Sequence, residues 1–416
     1  MIYQKRFADK LIAERLQSAG AVVIEGAKGC GKTETAKQQA TSFIRFDADI
    51  QVQTMMEIDP KTVLIGKTPR LLDEWQEYPH IWNYVRREID ERKQKGQFIL
   101  TGSATPDDTV KRHSGVGRFS IVKMRPMSLS EKGWSSDEVS VASLMRGEAP
   151  ASASVEFDIG EFAEKITLGG WPGVIGANAK QGLQNVRDYI ELVADVDVSK
   201  VSKKRRDPNK VKRLVQSLAR NISTETTLAT LAKDTRTAGG ELDDETIADY
   251  LSALERLMVT DNLQAWNTHI RSSDMLRKSP KRYFVDPSLA VGALGQSTDK
   301  LIADLNYFGL LFESLAIRDL KVYANANGGD LFFYRDSRGL EIDAIIEYAD
   351  GTWGAFEVKL GIGAVDAAAE NLLKFASKID TAKMSAPATL TVITGNGFAH
   401  RRPDGVNVVP LSTLTI

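Results

Sequence analysis

Cysteine is almost absent. The 416 residues contain one, Cys30, which excludes a framework of internal disulfides. Histidine is nearly as scarce, and four scattered histidines beside a single cysteine leave no zinc-binding constellation. No apolar run approaches the roughly 18 residues of a membrane span. The stretch from Met1 to Leu16 is charged and helix-periodic, without the apolar core of a secretory signal. A cytoplasmic protein with no membrane partner is the expectation. Charge of one sign is missing too: a net charge of −1 gives no global pull toward nucleic acid, so any such pull must come from local basic patches. The remaining balance, 42% hydrophobic and 26% charged, is that of a globular protein with room for roughly two to four domains.

The stretch from Ala21 to Ala40 organises the chain. An apolar run, Ala21 to Glu25, predicts a strand; Gly26, Ala27, Lys28, Gly29, Cys30, Gly31, Lys32 and Thr33 follow in the G-x-x-x-x-G-K-T spacing of a P-loop, and a helix begins at Thr33. The glycines free the backbone to curl its N–H groups around phosphates, Lys32 reaches the β/γ oxygens and the Thr33 hydroxyl ligates Mg²⁺. ATP and Mg²⁺ are the expected cofactors. After a short strand, Phe43 to Asp47, the apolar Leu71 and Leu72 run into Asp73 and Glu74. In that chemistry Asp73 holds Mg²⁺ through water and Glu74 orients and deprotonates the attacking water. Alone, Asp73 would read as a helix N-cap; downstream of a P-loop the pair reads as catalytic. Gln97 to Ser103 is a further strand ending in hydroxyls, and Thr101 or Ser103 is placed to sense the γ-phosphate from between the two motif strands. Arg118 follows a glycine loop, as an arginine finger or as an ordinary surface arginine.

Glu131 to Ser154 has little periodicity and is expected to be an excursion on the surface of the nucleotide-binding unit. Helical patterns from Phe157 onward are broken by Gly169-Gly170-Trp171-Pro172-Gly173. The next helix, Leu183 to Val198, runs into Lys200, Lys203, Lys204, Arg205, Arg206, Lys210, Lys212 and Arg213, eight basic residues in fourteen against one acid. Phosphate-backbone binding and a solvated linker are the two readings of this run. Three short helices, Val211 to Asn221, Thr227 to Thr235 and Asp243 to Val259, precede strand-like Asn262 to Trp266 and Tyr283 to Val285, the order of a helix-turn-helix with a β-wing. The third helix opens with Asp243, Asp244 and Glu245, which suit a helix N-terminus and repel phosphate. A spacer or oligomer contact is therefore favoured over a sequence reader, with Arg271, Arg277, Lys278, Lys281 and Arg282 left to touch a DNA backbone nonspecifically.

The last segment opens with a helix in which Glu313 stands among apolar neighbours, and then a hairpin forms around Asp350-Gly351. If Tyr348 pairs with Thr352, Asp343 lies opposite Glu357. Period two puts Ile342, Ala344, Ile346, Phe356 and Val358 on an apolar side, and Glu341, Asp343, Glu357 and Lys359 on the other. Opposed like charges destabilise a sheet pair. A divalent metal held by Asp343 and Glu357 would reverse that sign, and Lys359 would polarise a metal-activated water.

Taken together, the P-loop, the Asp73-Glu74 strand, the strand ending at Ser103 and the glycine loop before Arg118 resemble a large bacterial and archaeal family of AAA+-like P-loop ATPases. Its members carry a C-terminal domain of unknown function that is similar to PD-(D/E)XK nucleases. The resemblance gives Gly26 to Thr33, Asp73, Glu74, Ser103 and Arg118 the roles above, and gives Glu313, Asp343, Glu357 and Lys359 those of a nuclease site. Together with the helix and strand patterns above, it gives an α/β fold: a P-loop (ASCE/AAA+-like) ATPase core over residues 1–130, a loop and helical lid over 131–205, a winged-helix connector, read from those patterns, over 206–285 and a PD-(D/E)XK nuclease-like α/β domain over 286–416. The expected function is an Mg²⁺-dependent ATPase acting on DNA as a homo-oligomer, such as a hexameric ring. Its rivals are an ATP-gated structure-specific nuclease and a nucleotide-switched regulatory or defence module with an inert C-terminal domain.

Overall fold

Five parallel strands in the order β2-β3-β4-β1-β5 build the N-terminal sheet, so that β4 lies between the P-loop strand and the strand ending in Asp73. The computed structural model describes residues 3–48, 50–104, 114–156, 158–202, 207–236, 243–267, 279–381 and 384–416. In chain order the sheet and its helices are α1 (Phe7–Ser18), β1 (Ala21–Glu25), α2 (Lys32–Lys37), β2 (Ser42–Arg45), α3 (Ile50–Ile58), β3 (Arg70–Asp73), α4 (Ile81–Arg92), β4 (Phe98–Gly102) and β5 (Phe119–Lys123). Because β1 is covered on both faces, it reads as a continuous apolar run and not as an alternation. Val22 and Ile24 pack with Ile12 and Ala36 of α1 and α2, whereas Ala21 and Val23 pack with Val85 and Ile89 of α4.

The chain then leaves through β6 (Val139–Ser140), α5 (Val141–Met145), α6 (Ile159–Leu168), α7 (Ala179–Leu192), a π-helical turn at Val193–Asp197 and α8 (Val198–Ser202). The expected surface excursion is corrected here. β6 pairs in parallel with the last strand of the chain, and Val155 bridges Gly397, so residues 131–155 lie along the C-terminal domain. Val139, Val141, Leu144 and Met145 are buried there, and their spacing is too short and mixed to announce it. α9 (Pro208–Arg220), α10 (Leu228–Asp234) and α11 (Asp244–Arg256) follow. After them Thr260 bridges Phe284 and Leu263 bridges Lys281, while Thr224, ahead of α10, bridges Arg282; together these make a short antiparallel ladder. The ladder also joins the C-terminal sheet, since Trp266 N–H donates to the Phe333 carbonyl at 2.6 Å and Phe333 N–H to that of Gln264 at 3.0 Å.

α12 (Ser288–Leu294) packs against α7 and α9, and α13 (Thr298–Ala303) leads into the long α14 (Leu305–Ala326). A six-stranded sheet then forms from β7 (Gly329–Arg335), β8 (Glu341–Tyr348), β9 (Trp353–Lys359), β10 (Thr389–Thr394), β11 (His400–Arg401) and β12 (Asn407–Pro410), with α15 (Val365–Ser377) between β9 and β10 and β13 (Leu414–Thr415) returning to β6. The order is β11-β12-β10-β9-β8-β7; β7 to β9 are antiparallel, and β9, β10 and β12 parallel. The hairpin register agrees with the turn signal: Tyr348 N–H donates to Thr352 O at 2.8 Å and Ala344 lies opposite Phe356. The face assignment needs one correction. A β-bulge against β7, between Phe332 and Tyr334, adds a residue to β8 and turns Ile342 to the opposite face, where it packs with Ile345, Ala355 and α15. Ala344, Ile346, Phe356 and Val358 remain in the core shared with α14.

Candidate nucleotide site and acidic cluster

The P-loop leaves β1 at Glu25 and must pass close to the strand beside it. A Cβ on Gly26 would lie 2.2 Å from the Met124 carbonyl oxygen, and Gly31 has φ +104°, so both positions require glycine. Lys32, buried, donates to the carbonyls of Gly26 and Ala27 at 2.9 Å each. The loop is braced from behind: Arg6, buried ahead of α1, donates to Cys30 O at 2.8 Å and to Arg125 O at 2.7 Å and pairs with Glu131 at 3.1 Å. Cys30 itself is buried. Sequence reading passed over Arg6, whose only signal was a cation at the start of an amphipathic helix.

Thr33 Oγ1 donates to Asp73 Oδ1 at 2.8 Å, and Thr101 Oγ1 reaches the same oxygen at 2.5 Å. A hydroxyl and a carboxylate oxygen so placed are the hard donors that Mg²⁺ takes. Glu74 adopts φ 54° and ψ 43°, a left-handed conformation that side-chain-bearing residues seldom occupy. Ser103 Oγ donates to Glu74 Oε2 at 3.1 Å, and the Gln76 amide donates to the same oxygen. Thr101 of β4 and Ser103, just past its end, therefore divide between the two acids, Thr101 to Asp73 and Ser103 to Glu74.

Arg118 lies at the other end of this sheet. Phe119, next to it, pairs with Ala21 at the start of β1, while the P-loop follows the far end of that strand. Its guanidinium pairs with Asp90 at 2.9 Å on the surface, so it is remote from the P-loop of its own chain. On the opposite flank Lys28 of the P-loop pairs at 2.6 Å with Asp197 in the π-helical turn after α7. Within the basic run, Lys212 pairs with Glu191 and, at 3.2 Å, with Asp195. Lys203, Lys204, Arg205 and Arg206 lie outside the described residues, as do Arg271, Arg277 and Lys278.

A second cluster forms where α14, β8 and β9 meet the ladder. Lys359 Nζ lies 2.6 Å from Glu357 Oε2 and 3.3 Å from Asp343 Oδ2, and Val358 N–H donates to the same Asp343 oxygen at 2.9 Å. Asn371 of α15 donates to Glu357 Oε1 at 2.7 Å. Glu313 accepts from Tyr283 Oη at 2.6 Å and from Lys281 at 3.3 Å. The four side chains of the motif are thus brought together. Lys281 is a correction: expected at a DNA backbone, it is 3% exposed and lies inside the cluster. Burial, with the nearby Asp343 charge, pushes the Glu357 and Glu313 carboxyls above their ordinary value. Burial acts on Asp343 in the same sense, but Lys281, Lys359 and the Val358 N–H outweigh it and hold that carboxyl below its usual range.

Residues 18–132 match an AAA domain, residues 159–300 a domain of unknown function (DUF8612) and residues 308–414 another domain of unknown function (DUF4143). With the P-loop geometry above, the first match makes the N-terminal unit an AAA-type P-loop ATPase domain. Uncharacterised proteins of Mycobacterium tuberculosis and Mycobacterium bovis are each 25% identical over 366 residues, which is 86% of this chain and 74% of theirs. Among solved structures, the Walker-type ATPase paby2304 of Pyrococcus abyssi is 12% identical with a TM-score of 0.40, over 70% of this chain and 96% of that one. AMPPCP-bound DnaA from Aquifex aeolicus is 14% identical with a TM-score of 0.24, over 61% of this chain and 89% of that one. No described helix is long and apolar enough to cross a membrane.

Proposed function

We propose that this protein is an Mg²⁺-dependent ATPase that acts on DNA as an oligomer. The observation that carries the ATPase reading is the pairing of the two acids with hydroxyls in and just after β4: Asp73 is tied to Thr33 and Thr101, and Glu74 to Ser103. Thr33, and Asp73 through water, would hold Mg²⁺, which neutralises charge on the β- and γ-phosphates. Lys32 would exchange its carbonyl partners for phosphate oxygens. Glu74 would orient the attacking water and take its proton, with Ser103 holding the carboxylate and reporting the γ-phosphate. Arg118, distant from its own site, can serve only the nucleotide of a neighbouring copy, which is the reason to expect assembly. The exposed apolar residues Phe43 on one edge strand and Ile121 on the other support contacts edge to edge.

The DNA reading rests on the basic run around Lys200 to Arg213 and on α9 to α11 with the ladder, read as a winged-helix connector. An N-cap at Asp243, whose carboxylate accepts from Thr246 N–H at 2.7 Å, supports the view that the acids opening α11 serve the helix and not a groove. A second reading, the nucleotide-switched module with an inert C-terminal domain, is favoured over the nuclease by one observation: ammonium groups already engage the acids of the nuclease-like motif. ATP turnover with and without single-stranded, duplex and branched DNA separates the two. A DNA-driven ATPase is stimulated, with the effect lost in Lys32→Ala, and turnover per chain rises with protein concentration. A slow rate unchanged by every DNA form and by concentration would leave the switch.

A further inference from the structure

Lys281 stands outside any motif, on a ladder strand that precedes the C-terminal domain, yet its ammonium is buried among that domain's acids. It lies 2.5 Å from Glu341, 3.3 Å from Glu313 and 3.5 Å from Asp343. Burying an ammonium carries a solvation cost that is repaid only where carboxylates surround it. Three do so here, and they hold the Lys281 proton well above its ordinary range against the effect of burial.

Most of the oxygens that a hard cation would take already have partners. Asp343 Oδ1 faces Lys281, while its Oδ2 accepts from Val358 and Lys359. Glu313 Oε1 accepts from Tyr283 and Lys281, and Glu357 divides its oxygens between Asn371 and Lys359. Among the described residues no group of three or more His, Cys, Asp or Glu side chains is arranged to hold a metal ion. The residues as placed therefore do not fit the divalent ion that the motif implies.

The strand carrying Lys281 is fixed on both sides. Lys281 and Leu263 exchange backbone hydrogen bonds at 3.0 Å each, and Asp261, earlier in the same ladder, pairs with Arg125 of the ATPase domain at 2.6 Å. The ladder thus spans from the end of β5 to the acidic cluster.

We propose that Lys281 is the resident cation of this cluster: it stands in for a divalent ion and excludes one while the ladder is docked. The C-terminal domain is then an ion-pair latch on the connector, and loss of the Lys281 charge turns the latch into a divalent-cation site. The physical reason is that Glu313, Glu341 and Asp343 without Lys281 repel one another, and a divalent cation relieves that repulsion.

The test uses the full chain without nucleotide, titrated with MnCl₂ and followed by the electron paramagnetic resonance signal of free Mn²⁺ and by thermal melting. Neither readout depends on ATP turnover, so the outcome is separate from the ATPase reading. Wild type and Asp343→Asn are expected to bind Mn²⁺ alike. Lys281→Gln gains about tenfold or more in affinity, with a melting temperature that rises with Mn²⁺ by mass action. Adding Asp343→Asn removes the gain, and Lys281→Arg, which keeps a cation in place, behaves as wild type. Should Lys281→Gln fail to fold without metal, Mn²⁺ restores it. Asp343-dependent Mn²⁺ binding by the wild type overturns the proposal without any Lys281 variant. So does a Lys281→Gln protein that neither gains affinity nor is restored by Mn²⁺.

Discussion

Glu74 and Lys281 mark the two limits of what a residue's own sequence context reveals. Adjacent acids after an apolar run identify Asp73 and Glu74, but nothing local announces that Glu74 takes a left-handed conformation, because that follows from how the turn after β3 closes onto Ser103. Lys281 sits in a basic stretch and reads as surface; only the pairing of the ladder, a long-range event, buries it. The raised Glu357 carboxyl gives a prediction at this scale. Its folded-state pKa lies above the ordinary 4.5, so folding favours the protonated form. The associated stability is fully present below that ordinary value and is lost as pH rises through the folded-state value. Glu357→Gln, which keeps an oxygen for Asn371, should flatten the fall in melting temperature above pH 4.5 relative to wild type. A pH profile parallel to that of wild type would show that Glu357 titrates normally.

Elements with strong local signals were legible in the sequence. The P-loop strand and the hairpin register followed from patterning and from Asp350-Gly351, because turn chemistry fixes which residues face each other. The bulge in β8 was not legible, since an extra residue changes which face is buried without changing composition. Nor was the contact between the P-loop and the turn after α7, where Lys28 meets Asp197 across most of the ATPase and lid sequence. That ion pair is asymmetric: the Lys28 side chain is 46% exposed and that of Asp197 only 7%. Removing the lysine strands a buried carboxylate, whereas removing the acid returns an ammonium to water. Lys28→Met should cost about 1–3 kcal/mol and Asp197→Asn less than about 1 kcal/mol. Thermal denaturation of the two variants checks the order, and a larger loss for Asp197→Asn would contradict it.

At the scale of the whole molecule, the ATPase domain, the helical middle and the C-terminal sheet are interlocked and not strung on linkers. Leu414 of β13 is fully buried beside β6, Arg125 joins the ATPase domain to Asp261 of the ladder, and α1 packs against α14. Composition and length predicted several units but could not reveal this interlocking, because pairing between the last strand and residue 139 leaves no periodic trace. The functional account turns on the chemistry at the P-loop. Single-turnover hydrolysis of ATP by wild type and Glu74→Gln, with ATP affinity measured in parallel, tests it most directly. Glu74→Gln should bind ATP as wild type does and hydrolyse it about a hundredfold or more slowly, since Glu74 acts on the attacking water and not on the bound phosphates. Wild-type turnover in Glu74→Gln would contradict the account.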